Sequence, residues 1–232
     1  ADVDQAQQDW ADNISDWMDF SIDCDNFVFG CTDSLAQNYN SDATWDDGSC
    51  SGYPDNGEYD LSFDGDDDYI ELPDGMVSSL NDFTFICWFN TNINDPWTRL
   101  IDFGSSTRIN MFLTPSYGGT NIPRFAIKQE GGGEQQITSS SPLNQGQWYH
   151  IAVTIDDSTN TGKMYLDGTL IAENNSMTIR PSSLGNTTNN YFGKSQYNDP
   201  YLDGMMDDIS IWGRSLDQNE IQSSMYTSFN GD

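Results

Sequence analysis

The stretch LSFDGDDDYIELPDG, from Leu61 to Gly75, begins an alternation of apolar and polar residues that continues along most of the chain. A second stretch of the same kind, YLDGMMDDISIWGRSL, runs from Tyr201 to Leu216. Each joins a run of aspartates to a pattern of period two, which is the period of a β-strand. The two stretches predict one closed β-domain whose first and last strands both carry carboxylates.

Period-two segments separated by Asn, Asp, Gly, Ser and Thr continue between these two motifs. They predict strands at 59–63, 68–72, 83–90, 98–103, 108–113, 123–129, 134–138, 147–155, 163–167, 169–173, 190–193 and 205–212. Many short strands at such spacing are typical of an all-β sandwich or jelly roll with two antiparallel sheets. The segment 216–226 predicts a short helix or turn after the last strand.

Charge and composition exclude several classes of function. The 232-residue chain has a formal net charge of −29 and a sequence pI near 4.1, which argues against nucleic acid and anionic membrane surfaces as partners. No apolar run approaches the roughly 18 residues that a membrane-spanning helix needs, so we expect no membrane insertion. The charge instead fits divalent cations or neutral glycans as ligands.

The N-terminal quarter differs from the rest in composition. Residues 1–22 form a predicted arm in which Trp10, Ile14 and Trp17 recur at the spacing of a helix. The apolar face of this helix would dock either on the protein's own core or on a partner. Residues 23–58 are a Cys-rich, Asp- and Asn-rich irregular segment and linker, and residues 59–232 are the β-domain. The start at Ala1, without a signal peptide, indicates a mature or excised chain.

Three of the four cysteines lie in the irregular segment, which indicates an oxidising, extracellular or surface-exposed location. A Cys31–Cys50 disulfide is preferred, and it would contribute roughly 3 kcal/mol by closing a loop of about twenty residues. Pairing of Cys24 with Cys31 or Cys50 remains open. Cys87 alternates in phase with Phe85 and is predicted to be a free thiol in the core.

Four sequence blocks carry a specific resemblance. The blocks are LSFDGDDDYIELP, NDFTFICWFN, GQWYHIAVTIDDSTNTGKMYLDGTLIAE and LDGMMDDISIWGRSLDQNEI. In order and spacing they resemble the laminin-G-like (concanavalin A-like, pentraxin-related) jelly-roll family, over about residues 59–226. The resemblance implies two stacked antiparallel sheets, one of them concave, and a calcium ion on the rim in many members.

The irregular segment carries a second resemblance. Residues 30–50, GCTDSLAQNYNSDATWDDGSC, are similar to a GCTD…NY…DDGSC repeat of secreted and cell-surface proteins. The usual form often has a further Cys beside the alanine that falls here at Ala36, where this chain has Gln37. The resemblance carries no chemistry over to this chain.

Aspartate clusters predict Ca²⁺ sites, because calcium takes six to eight oxygen ligands. The first candidate site lies between the first and last strands, which are expected to be neighbours. It consists of Asp64, Asp67, Asp207 and Asp208, and Asp64 and Asp208 are the favoured ligands. The second lies in the irregular segment and comprises Asp33, Asp42, Asp46 and Asp47 together with Asn38 and Asn40. The alternative for both is turn chemistry, in which Asp and Asn side chains bind nearby backbone amides.

Five aromatic residues in or beside loops are candidate sugar-stacking platforms: Trp97, Tyr117, Tyr191, Tyr197 and Tyr201. The alternative is that several of them cap the sandwich edges. No catalytic constellation is apparent, because His150 is the only histidine and is assigned a structural role.

These observations predict a secreted or surface-exposed, non-enzymatic binding or adhesion module that is stabilised by Ca²⁺ and binds a glycan or glycoconjugate. The alternative is a structural subunit of a cell-surface filament, outer layer or virion, which assembles with neighbouring protein subunits through the N-terminal arm.

Overall fold

A computed structural model describes residues 28–32, 38–47, 49, 60–92 and 95–225. The chain divides into two compact units, residues 1–58 and residues 59–232. Within the described residues, no helix is both long and apolar enough to cross a membrane. The helix expected in the N-terminal arm and the cysteines Cys24 and Cys50 lie outside the described residues.

The described part of the first unit is held by short backbone pairings. Strands β1 (Phe29–Gly30) and β2 (Trp45–Asp46) pair in parallel, and the Asn40 amide donates to the Cys31 carbonyl oxygen at 2.9 Å. Cys31 is buried. Its preferred partner, Cys50, is not described, so the Cys31–Cys50 pairing stays a prediction.

The described part of the second unit contains twelve strands. They are β3 (Leu61–Asp64), β4 (Ile70–Glu71), β5 (Phe83–Thr91), β6 (Ile101–Ser106), β7 (Ile109–Thr114), β8 (Arg124–Lys128), β9 (Gln135–Thr138), β10 (Tyr149–Asp156), β11 (Thr161–Leu166), β12 (Thr169–Asn174), β13 (Asn189–Phe192) and β14 (Asp203–Trp212). Each corresponds to one of the twelve predicted strands, with ends that differ by a few residues.

The twelve strands form two antiparallel sheets of six. Sheet I has the order β12-β11-β10-β5-β14-β3, and sheet II has the order β4-β13-β6-β7-β8-β9. The first and last strands of the domain, β3 and β14, are therefore neighbours, as the sequence predicted. This arrangement confirms the all-β, two-sheet jelly-roll expectation.

The core lies between the inner faces of the two sheets. Period-two alternation directs Phe83, Phe85, Cys87 and Phe89 of β5 into it, where each is fully buried. Cys87 is a free thiol whose pKa burial raises well above its ordinary value, which confirms the prediction for this residue.

The outer face of sheet I carries a second, smaller apolar cluster under the C-terminal helix, Gln218–Ser224. Ile221 of this helix is fully buried and packs with Ile86, Ala152 and Tyr165. Asp217 caps the helix by accepting from the Glu220 backbone amide, and Glu220 accepts in turn from the Asp217 amide. The predicted short helix or turn at 216–226 is therefore a helix.

Candidate ligand-binding site

The predicted calcium ligands divide into two separate places on the domain. The register of β3 with β14 sets Asp64 opposite Asp203. Asp207 lies four residues further along β14, opposite Trp88 of β5, which places it about 13 Å from Asp203 at the rise of a strand. Neighbouring strands therefore do not bring Asp64 and Asp208 together.

Asp64 groups instead with two aspartates of its own turn. One carboxylate oxygen from each of Asp64, Asp67 and Asp68 lies within 4.8 Å of the others, and all three residues are exposed. Asp64 accepts from the backbone amides of Asp66 and Asp67, which lowers the pKa of Asp64. The turn thus collects three carboxylates, the donor type that suits Ca²⁺, and turn chemistry occupies only part of their oxygens.

Asp207 and Asp208 lie at a register shift in β14, between its pairing with Trp88 and with Ile86. Asp208 has a positive φ of 47°, and its amide donates to Asp207 Oδ1 at 2.7 Å. Partial burial is the larger cause that raises the pKa of Asp208, and the negative charge of Asp207 raises it further. These features are those of a β-bulge that bends the strand.

The second calcium candidate is only partly described. Asp33 lies outside the described residues, and nothing is described of the Asp46 side chain. Asp47 accepts from the Ser49 amide at 2.9 Å, and Asn40 accepts from the Asp42 amide at 3.0 Å. Among the side chains that the structure describes here, these contacts are Asx turns, and no group of three acidic ligands forms.

Tyr191 and Tyr201 surround a cation of the chain itself. Lys194 Nζ lies 3.7 Å from the ring centroid of Tyr69, 4.8 Å from that of Tyr191 and 5.7 Å from that of Tyr201. Such contacts are cation–π interactions. These two predicted platforms are therefore engaged by Lys194.

Trp97, Tyr117 and Tyr197 lie together at the outer face of sheet II. The Trp97 and Tyr117 rings meet edge to face with centroids 5.5 Å apart, and the guanidinium carbon of Arg124 lies 3.4 Å from the Tyr117 ring centroid. Trp97 has a positive φ of 68° and donates its amide to the Ser116 carbonyl. A left-handed tryptophan is a conformational outlier that its surroundings must hold in place.

A row of outward-facing residues crosses sheet II beside these rings. Strand register aligns Glu71, Tyr191, Asp102, Phe112, Ala126 and Gln136 across the six strands. At one part of this face is a cavity of about 260 Å³, named here the Arg99 pocket. It is lined by Trp97, Arg99, Thr107, Asn110, Phe112, Lys128, Glu134, Tyr197 and Asp199.

A buried ion-pair network builds the floor of the Arg99 pocket. Arg99 is 3% exposed and pairs with Asp102 at 3.3 Å and with Asp199 at 3.0 Å. Its guanidinium carbon lies 4.2 Å from the centroid of the Phe112 ring, and it also donates to the Trp97 carbonyl. One side chain thereby fixes the strained tryptophan, the aromatic floor and the 194–200 loop.

Asp102 ties the same loop to the sheet. Its carboxylate accepts from the Gln196 amide at 3.2 Å, from the Gln196 side chain at 3.2 Å and from the Ser195 hydroxyl at 3.4 Å. Burial raises the pKa of Asp102 to about 6, because loss of solvation outweighs the attraction of Arg99. Burial likewise lowers the pKa of Arg99, against the opposing effect of its two carboxylates.

A larger groove of about 370 Å³ lies beside the C-terminal helix, where Trp212, Arg214, Leu216 and Glu220 are among its lining residues. Arg214, the cation of this groove, is already paired with Glu220 at 2.5 Å. The Arg99 pocket has the better combination of aromatic walls, buried charge and converging polar groups, which is typical of ligand sites.

His150 lies on the outer face of sheet I, whereas the Arg99 pocket lies on the outer face of sheet II. It is 1% exposed, its ring meets Trp88 with centroids 5.3 Å apart, and neither ring nitrogen has a hydrogen-bond partner in the described part of the chain. Burial lowers the pKa of His150 to about 4, so the ring is neutral at pH 7. A neutral, packed ring agrees with the structural role inferred from the sequence.

Sequence reasoning found Trp97 and Tyr197 of the Arg99 pocket but missed Arg99, Asn110, Phe112 and Asp199. One signal was available: Arg99 and Asp102 flank the apolar pair Leu100 and Ile101 in TRLIDF, in a chain with only eight basic residues. Buried opposite charges three residues apart indicate an ion pair, but nothing in the sequence points to Asp199 as the third member.

The fold is that of a two-sheet jelly-roll domain, and family comparison identifies the class. A model of the concanavalin A-like lectin/glucanases superfamily matches residues 64–222, which is more than half of the chain. The protein therefore belongs to this superfamily, as its resemblance to laminin-G-like domains predicted. No curated protein sequence matches it.

Solved structures of similar fold have low sequence identity. A native heptameric SAP-like pentraxin from Limulus polyphemus is 12% identical with a TM-score of 0.53, covering 74% of this chain and 82% of the pentraxin. The CBM40 domain of the Ruminococcus gnavus IT-sialidase is 13% identical with a TM-score of 0.56, covering 68% and 96%.

A third similar structure is domain 4 of an extracellular GH43 arabinanase from Geobacillus stearothermophilus in complex with arabinotriose. It is 19% identical with a TM-score of 0.58, covering 72% of this chain and 82% of that domain. At these identities the likeness concerns the fold.

Proposed function

We propose that this protein is a secreted or surface-exposed, non-catalytic module that binds a glycan or glycoconjugate in the Arg99 pocket. The observation that carries the proposal is the pocket itself, where aromatic side chains and polar groups converge over a buried ion-pair network. Aromatic faces stack on sugar rings, and fixed polar groups bind hydroxyls. Membership in a superfamily of lectins and glucanases supports this assignment, as do similar structures described as a carbohydrate-binding module and as a domain bound to arabinotriose.

A glycan array followed by calorimetric titration of the best hit tests the proposal. Trp97→Ala removes the aromatic wall, and we expect it to weaken binding by about tenfold or more, the scale of a lost stacking contact. Trp148→Ala is the matched control, because Trp148 is an exposed tryptophan outside the pocket, and it should bind as the unaltered protein does. A blank array obtained with folded protein would contradict the proposal.

We also propose that Ca²⁺ stabilises the domain at the turn formed by Asp64, Asp67 and Asp68. Their three clustered carboxylates support this location over one shared with Asp207 and Asp208. The ion would neutralise negative charge and tie the end of β3 to the following turn. Carboxylate oxygens are the donors that Ca²⁺ prefers, and the charge of −29 favours cation uptake.

Thermal unfolding with Ca²⁺ or with a chelator tests this second proposal. We expect Ca²⁺ to raise Tm by several degrees, since a ligand that binds only the folded state stabilises it. Asp64→Asn combined with Asp68→Asn should remove that increase. Asp207→Asn combined with Asp208→Asn is the control, and it should retain the increase. The opposite pattern would place the ion at the β14 bulge.

A further inference from the structure

Asn110 carries an unsatisfied polar group at the wall of the Arg99 pocket. It is 2% exposed, and its Nδ2 donates to the Tyr197 hydroxyl at 3.0 Å, whereas its Oδ1 has no hydrogen-bond partner among the residues that the structure describes. Exchanging the amide oxygen and nitrogen would let Tyr197 donate to Asn110 and would leave the nitrogen without a partner instead. In either orientation, one end of a buried amide lacks a partner among the described residues, and a hydrogen bond from a ligand in the pocket would satisfy it.

Other polar atoms in the pocket are free as well. Burial and the nearby Asp102 raise the pKa of Tyr197, so its hydroxyl keeps a proton, and with Asn110 as donor that proton is free to be donated. Asp199 uses Oδ2 to accept from Arg99 and Ser195, and no contact in the described part of the chain engages its Oδ1. The pocket therefore offers acceptors and a donor side by side, and a sugar hydroxyl both donates and accepts.

The charge of the pocket selects against anionic ligands. Its lining contains two cations, Arg99 and Lys128, and two carboxylates, Glu134 and Asp199. The positive charge of Arg99 is already paired with Asp102 and Asp199. With the buried Asp102 included, two cations face three carboxylates. A sugar carboxylate or sulfate would thus meet a net negative surrounding, and among the described lining residues Lys128 is the cation without an ion pair.

We infer that the Arg99 pocket selects one uncharged sugar ring with adjacent hydroxyl groups, and that Asn110 and Tyr197 recognise those hydroxyls. This inference rests on the proposed function and specifies its ligand. The pocket volume of about 260 Å³ lies just below the range of about 300–1,000 Å³ that is typical of ligand pockets, so a single ring is the unit it accommodates. Trp97, which is only partly buried, supplies the apolar surface for the ring.

Solution NMR titration with matched pairs of sugars tests the inference. The probes are the methyl glycosides of glucose and galactose, their uronic acid counterparts, and N-acetylneuraminic acid. We expect a neutral glycoside to shift the Asn110 side-chain amide signals, and the acidic sugars to bind more weakly by at least about tenfold. Because the bound sugar is uncharged, its Kd should change less than about twofold between roughly 0.05 M and 0.5 M NaCl.

Variants assign the recognition to Asn110. Asn110→Leu should raise the Kd by about threefold to tenfold, which is the scale of one neutral hydrogen bond. Asn189→Leu is the matched control, because strand register aligns Asn189 with Asn110 through Gly104, on the same face, two strands away and outside the pocket. Tyr197→Phe removes only a hydroxyl, and it provides a second test in case Asn110→Leu folds poorly.

The outcomes separate this inference from the proposed function. Tighter binding of a uronate or sialic acid, or a Kd that rises steeply with salt, would overturn the inference and leave glycan binding in place. Equal effects of Asn110→Leu and Asn189→Leu would remove Asn110 from recognition. Folded protein that binds no sugar in NMR and none on the array would overturn both.

Discussion

At the scale of single residues, two buried ionisable groups have opposite effects on acid stability. His150 has a folded-state pKa of about 4, below its ordinary 6.5, so the unfolded chain takes up its proton first and stability falls as pH drops from 6.5 to 4. Asp102 has a folded-state pKa of about 6, above its ordinary 3.8. The folded state therefore takes up that proton first, and stability rises as pH drops from 6 to 3.8.

The variant His150→Leu isolates the first effect. The His150 shift corresponds to at most about 3 kcal/mol of unfolding free energy, lost between pH 6.5 and pH 4. We expect the variant to gain that amount relative to unaltered protein as pH falls through this window. It should match or exceed the unaltered protein at pH 7, because the buried ring nitrogens have no partners to lose among the described residues. Urea unfolding across this pH range measures the difference, and parallel stability curves would contradict the assignment.

The ion pair of Arg99 with Asp102 makes a second prediction at this scale. Arg99→Met leaves the Asp102 carboxylate buried without its cation and should cost about 3–5 kcal/mol near neutral pH. Arg99 lowers the pKa of Asp102, so its removal raises that pKa above 6, and the variant takes up the proton first. The loss should therefore shrink as pH falls toward 6 and change little below that pH. The double variant Arg99→Met with Asp102→Asn should be more stable than Arg99→Met alone. A double variant that loses the full sum of both single effects would show that the two side chains act independently.

At the scale of elements, strand β14 holds sheet I together through a close approach to β5. Gly204 has a φ of 156°, and a Cβ at this position would lie 2.1 Å from the Asn90 carbonyl oxygen and 3.0 Å from Thr91 Cα. Both atoms belong to the backbone, so a new methyl group must displace a central strand.

We expect Gly204→Ala to destabilise the domain by about 3 kcal/mol or more through this crowding. Gly131→Ala is the matched control, because Gly131 also has a positive φ but has nothing within 4 Å of the added methyl group. The control should cost about 1 kcal/mol from backbone strain alone. Chemical denaturation of both variants measures the comparison, and equal losses would show that crowding at Gly204 has no effect.

Strand existence was predictable from the sequence, but strand register was not. Alternation in FTFICWFN gave both the position of β5 and the inward direction of Cys87, because a pleated strand fixes which side chains share a face. The aspartates of the first and last strands were expected to meet, and the strands do pair. The register, however, sets Asp203 rather than Asp208 opposite Asp64. Register depends on the packing of both strands against the core, and composition alone does not encode it.

At the scale of the whole molecule, charge repulsion opposes folding. The 37 acidic and 8 basic residues leave a net charge of −29, and compacting the chain brings these charges closer together. We expect Tm to rise by several degrees when NaCl increases from about 0.01 M to 0.2 M, because salt screens that repulsion. Tetramethylammonium chloride should act equally if screening is the cause. A Tm that is independent of both salts would contradict this account.

The sequence by itself determined the all-β class, the twelve strands, the core face of β5 and the family, since each follows from local periodicity or from the order of motifs. Only the tertiary structure decided where a ligand can bind. The Arg99 pocket takes Asn110 from β7, Lys128 from β8 and Asp199 from the loop after β13. Its floor depends on an ion pair between residues 100 positions apart. Such a site exists only where the sheet brings distant segments side by side, because its geometry is a property of the packed strands and not of any one stretch of chain.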